Sequence, residues 1–184
     1  MKRVILIHGW QGHPGNHWKK WFKGTLIGKG IRVIEPEMPN HSNKPVDWIN
    51  KLAEVVGIPD MDTVLVGHSL GCPTIIGYLM SLQGDQKVRG AVLVAGFSSR
   101  LAPHPDLNDF NFDNALVAET KKHCEKFVSI VSDNDSDVPN EKSIELNTLV
   151  DGELIMEHNK GHFCESDGVT KLQSALDSVL QILE

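Results

Sequence analysis

Apolar residues along the chain collect into short unbroken runs, separated by longer stretches in which they return every three or four positions. RVILIH (3–8), IRVIEP (31–36), TVLVG (63–67), RGAVLVAG (89–96), KFVSIVS (126–132) and ELIMEH (153–158) are continuous rather than alternating in apolar content. That is the pattern of strands buried on both faces, as in a parallel sheet covered by helices. Between them, helical spacing is predicted over 15–28, 45–56, 71–83, a short stretch at 114–122, 140–149 and 168–183. In the second of these, Pro45 suits a first helical turn, and Trp48, Ile49, Leu52, Val55 and Val56 follow one face. Strands and helices alternating in this way imply β-α-β crossovers, hence a doubly wound α/β fold with a mostly parallel six-stranded sheet. The segment 97–114, FSSRLAPHPDLNDFNFDN, breaks the rhythm with two prolines and several turn formers. A loop of that length is expected to be a short lid or a pocket wall.

Composition refines this picture without altering it. At 184 residues the chain can form one domain that buries about 70% of the surface its unfolded form exposes. No repeat or linker divides it, so residues 1–184 are expected to be a single domain. Apolar residues are 40% and charged residues 23%, ordinary globular values that argue against disorder. The net charge of -6 argues against a nucleic-acid surface, which needs clustered Lys and Arg. The local HWKKWFK is too small to reverse that, and its basic residues are expected on the solvated face of a helix. Three cysteines, Cys72, Cys124 and Cys164, match no disulfide framework or zinc ribbon. Reduced thiols in a cytoplasmic protein are the simple reading. The opening apolar run is too short for a signal-peptide core or a membrane span.

Chemistry enters at GHSLG. The pentapeptide fits G-x-S-x-G and stands where a predicted strand meets a predicted helix, the context of a nucleophile elbow. Side chains at Gly67 or Gly71 would collide across so sharp a turn. The turn lifts Ser69 above the carboxyl edge of the sheet and aims the Leu70 amide at the reacting oxygen. The absence of a Lys after the glycines, and of G-x-G-x-x-G, disfavours a phosphate loop. A serine hydroxyl needs a base and an orienting acid, which α/β-hydrolases supply later in the chain, acid before histidine. KFVSIVS runs into DNDSDVP, and ELIMEH runs into NKGHF. His162 is the expected base, and His158 at the strand end is expected to be structural. Spacing does not choose among Asp133, Asp135 and Asp137. A second oxyanion amide is expected from LIHGWQG, at Trp10 in preference to Gln11. Gly161 and the Pro14-Gly15 pair argue against helical presentation of His158/His162 or His13/His17 to a metal, so neither metal nor cofactor is expected.

HGWQGHPGNHW, GHSLGCP, LVAGF, DSDVP and GHF, in that order, resemble the small serine hydrolases of the retinoblastoma-binding-protein-nine and YdeN type, within the α/β-hydrolase superfamily. The resemblance spans essentially the whole chain. It implies a compact α/β-hydrolase fold without a large cap domain. It also implies that the acid lies in a D-x-x-V-P pattern, which selects Asp135. His17 and Trp18 match a segment that packs beside the active site in this family. The L-x-C-x-E element that links mammalian relatives to the retinoblastoma protein does not occur here, so that partner is not implied. The expected function is that of a serine hydrolase acting through an acyl-enzyme on a small acyl substrate, a carboxylesterase first. A peptidase with the same residues, a perhydrolase-like activity and a non-catalytic binding module are the alternatives. His17, Trp18, Phe97 and Phe163 are candidates to line the substrate site.

Overall fold

The computed structural model describes residues 1–184. Six strands form one sheet: β1 (Arg3–Ile7), β2 (Arg32–Ile34), β3 (Thr63–His68), β4 (Val88–Val94), β5 (Cys124–Ser132) and β6 (Glu153–Glu157). They lie in the order β2-β1-β3-β4-β5-β6, and every neighbouring pair is parallel. The chain leaves β1 for the edge at β2, then returns across β1 to β3. The topological switch therefore falls between β1 and β3, the place where open α/β sheets build their ligand crevices.

Both faces of the sheet are covered, which is why the strand sequences lack alternation. Leu65 of β3 points into one core with Trp48 and Leu52 of α2 (Pro45–Val56), Ile75 and Leu79 of α3 (Gly71–Ser81), Val117 of α4 (Asn114–Glu119) and Leu146 of α5 (Asn140–Val150). Val64 and Val66 point into the other, with Phe22 and Leu26 of α1 (Lys19–Gly28) and Leu176 and Val179 of α6 (Gln173–Leu183). Pro45 stands in the first turn of α2, where its missing N–H costs no hydrogen bond.

Two helices start later than their spacing predicts. Residues before α1 turn rather than coil, with Gly15 at φ 81° and His17 at φ 55°. Ahead of α6, Glu165–Asp167 makes a single 3-10 turn that ends at Gly168 with φ 78°. A further correction concerns HWKKWFK. Lys20 is exposed as expected, but Lys19 is completely buried, on the helix face it shares with Phe22 and Leu26. The segment 97–114 lies packed down: Leu101, Leu107 and Phe110 enter the first core, and Pro105–Phe110 forms a 3-10 helix. No helix is long and apolar enough to cross a membrane.

Candidate active site

β3 ends at His68, and the chain reverses sharply at Ser69 into α3. Ser69 takes φ 54°, a left-handed conformation that a non-glycine residue adopts only under local constraint. The glycines around it are required by space. A Cβ on Gly67 would stand 2.7 Å from the backbone carbon of Gly71, and one on Gly71 would stand 2.5 Å from the carbonyl oxygen of Ile7. Ser69 N–H donates to Val94 O at 2.9 Å, tying the turn to β4, while its side chain stays partly accessible. Leu70 is buried with its N–H at the start of α3, unclaimed by any backbone acceptor.

The loop after β1 closes on the same point. A Cβ on Gly9 would lie 3.0 Å from Ser69 Cβ and 3.6 Å from Ser69 Oγ. His8 is buried just before it. Its Nε2 accepts from Met38 N–H at 3.1 Å, which leaves Nδ1–H to donate to Gly9 O at 2.8 Å. Burial holds this imidazole below its ordinary pKa, hence neutral. Of the two amides weighed as oxyanion donors, that of Gln11 already donates to Asn40 Oδ1 at 3.0 Å. The Trp10 N–H has no backbone acceptor.

Three aspartates crowd the loop after β5, and each meets a different histidine. Asp133 Oδ2 accepts from His158 Nδ1 at 2.7 Å in an open position, with the His158 side chain 75% exposed. Asp137 Oδ1 accepts from His104 Nε2 at 2.9 Å, fastening the segment 97–114. Asp135 Oδ2 accepts from His162 Nδ1 at 2.8 Å, and this carboxylate is only 2% exposed. Its other oxygen accepts the amides of Asp137 and Val138, each at 2.9 Å. Of the three, Asp135 is the carboxylate buried against His162. Because Nδ1 donates, Nε2 of His162 is the ring's free acceptor. Ser69 Oγ and His162 Nε2 are not hydrogen-bonded to each other; such contacts often tighten only with substrate bound.

Side chains that no motif announced shape the histidine loop. Gly161 N–H donates to Asn134 Oδ1 at 2.8 Å, and Lys160 N–H to Ser132 Oγ at 3.1 Å. Asp167 Oδ2 accepts from His162 N–H at 3.0 Å and from Cys164 N–H at 2.9 Å. At Gly161, φ is 51° and a Cβ would strike the Asp167 carboxyl at 2.5 Å, so the loop needs glycine for both reasons. Asp135, Asp137 and His162 could in outline collect a cation. Asp135 Oδ2 and His162 Nδ1 are already spent on each other, and Asp137 Oδ1 on His104.

Of the four residues expected to line a substrate site, three do not reach it. Trp18 and Phe163 are wholly buried in the second core and Phe97 in the first, so these aromatics are core plugs. His17 does face a cavity, an open trough of about 480 Å³ that also exposes Trp10, Gln11, His13, Asn16 and Glu165. His17 Nδ1 accepts from Glu165 N–H at 3.1 Å. Burial and the Lys19 charge hold its pKa down at about 4. The ring of His68, the residue before the nucleophile, is hemmed by His17, Trp18 and His162 at centroid distances of 5.8, 6.3 and 5.0 Å.

A parallel doubly wound sheet, with a strained serine at the switch point and a His–Asp pair on the loops after the last two strands, is α/β-hydrolase architecture. The chain belongs within it to the serine hydrolase family, whose profile matches residues 4–181. It is 34% identical over 180 residues to the YdeN protein of Bacillus subtilis (strain 168), covering 96% of this chain and 93% of that one. The crystal structure of the B. subtilis ydeN gene product superposes with a TM-score of 0.91 at 32% identity, covering 99% of this chain and 98% of the other. More distant likenesses share the fold. Est1E from Butyrivibrio proteoclasticus, solved with ferulic acid bound, matches with a TM-score of 0.74 at 15% identity, over 100% of this chain and 88% of that one.

Proposed function

We propose that the protein is a serine esterase that hydrolyses small carboxylic esters through an acyl-enzyme. The observation that carries this reading is the buried 2.8 Å bond between His162 Nδ1 and Asp135 Oδ2, with the His162 backbone bonded to His68, the residue before Ser69. Asp135 fixes the tautomer that leaves Nε2 unprotonated. His162 takes the proton of Ser69 Oγ as that oxygen attacks the ester carbonyl. The amides of Leu70 and Trp10 receive the developing oxyanion, each worth about 10² to 10³ in turnover. His162 then gives its proton to the leaving alkoxide, and water repeats the sequence to release the acid. No cofactor enters these steps. Trp10, one of the two amide donors, borders an open and largely polar trough, and a small substrate needs no deep apolar pocket there. Est1E, which shares this fold, was solved with a carboxylic acid, ferulic acid, bound.

The test is covalent labelling. A fluorophosphonate should modify Ser69 in the folded protein and leave Ser69→Ala untouched, and p-nitrophenyl acetate should be cleaved faster than the decanoate. A folded protein that neither labels nor cleaves any ester of the series would refute the reading.

A further inference from the structure

We propose that Lys19 and His68 are positioning residues: the buried Lys19 amine fixes the tautomer of His68, whose other nitrogen holds the backbone of His162 in place. The inference rests on the reading of His162 as the base. Its geometry does not.

His162 O can only accept, and it lies 2.8 Å from His68 Nε2, so that nitrogen carries the proton. His68 Nδ1 is then an acceptor, and the group that faces it at 3.4 Å is Lys19 Nζ, which can only donate to it. Lys19 Nζ also donates to Asn16 Oδ1 at 2.9 Å. The result is a directional chain from the loop before α1, through Lys19 and His68, to the carbonyl of His162. With Asp167 holding the His162 amide and Asp135 its ring, the residue is gripped at amide, carbonyl and imidazole. No other tautomer of His68 satisfies both contacts.

The surroundings suit this role. Lys19 is fully buried and lacks a direct carboxylate partner; nearby Glu35 is occupied by Gly15 N–H at 2.6 Å and by Lys23 at 3.5 Å. His17, Cys72, Cys164 and His162 are the other titratable groups around the amine and the His68 ring. Burial lowers the Lys19 pKa to about 8, and burial together with Lys19 keeps His68 neutral. A cation kept at such a place without an ion-pair partner opposes folding, so its retention calls for a task.

The experiment is a double-mutant cycle with an NMR reading. In the wild type, ¹⁵N shifts should show His68 protonated at Nε2 and bare at Nδ1. In Lys19→Met the opposite tautomer should become detectable, because only the His162 carbonyl then favours the Nε2–H form. With p-nitrophenyl acetate, Lys19→Met should lower kcat about tenfold with KM nearly unchanged, the expected cost of a loosened catalytic group. His68→Leu should lose at least as much. His68→Gln should recover most of the rate, because its amide offers an N–H to His162 and a C=O to Lys19. In the His68→Gln background, Lys19→Met should cost less than about twofold, because no tautomer remains to be set. A wild-type His68 protonated at Nδ1, or equal Lys19→Met losses in both backgrounds, would overturn the proposal. If the tautomers behave as stated but the wild type cleaves no ester, the esterase reading fails while the Lys19–His68–His162 arrangement stands.

Discussion

Asp133, Asp135 and Asp137 show how little residue type says without surroundings. Each carboxylate bonds a histidine at nearly the same length, yet only Asp135 is enclosed and also receives two backbone amides. Replacing it by Asn should therefore cut kcat by about 10³-fold or more, because the amide no longer enforces the Nδ1–H tautomer. Asp133→Asn and Asp137→Asn should each stay within about tenfold of the parent by the same measure. Steady-state ester hydrolysis of the three variants checks this, and equal losses would undo the assignment. Lys19 makes a different prediction, about stability. Its pKa falls from 10.5 to about 8 in the folded protein, so between these values the unfolded chain holds a proton the folded chain has released. Stability contributed through this group therefore rises with pH across that window, and below it the cost of the buried charge is complete. Lys19→Met should raise the melting temperature at pH 7, by the equivalent of roughly 1–3 kcal/mol. The gain should shrink as pH climbs toward 10.5. A variant that is steadier and slower separates positioning from mere support.

Among elements, the two loops that carry the acid and the histidine behave as one unit. Asn134, Ser132 and Asp133 accept successive amides of the histidine loop, at Gly161, Lys160 and Asn159. Gly161→Ala would meet both a left-handed φ and the Asp167 carboxyl. We expect it to lower kcat by about 10²-fold through misplacement of His162, while the melting temperature falls only a few degrees. Calorimetry beside kinetics measures the two effects. Much of this site was legible in the sequence. Ser69, His162 and the Trp10 loop follow from glycine spacing and strand ends, because those signals are local. Asn134, Asp167, His68 and Lys19 were not legible, because each acts through a partner distant in sequence or through an amide that bears no residue name. Lys19 did leave a trace, since it falls three and seven residues before Phe22 and Leu26 on the buried face. Its charge argued for solvent, and the helix geometry prevailed. The aromatics erred in the opposite sense: proximity to a motif suggested substrate contact for Trp18, Phe97 and Phe163, while packing placed them in the cores.

For the whole molecule, strand order decides how the parts of the site share the strength of the fold. The sheet follows from continuous apolar runs, and its all-parallel order needs only right-handed crossovers. Ser69 and the Trp10 loop spring from β3 and β1, which have neighbours on both sides, whereas the His162 loop follows β6 at the sheet's edge. That strand is five residues long, and Leu154 and Met156 remain 40% and 37% exposed. Edge elements with few buried contacts detach at lower free energy than central ones. Ester hydrolysis should accordingly be lost at lower urea than the fluorescence of the buried Trp18 and Trp48. Amides of β6 should exchange hydrogen before those of β3. Coincident transitions would contradict this. If β6 lets go first, loss of activity under stress would be a reversible pause, reached while the rest of the chain is still folded.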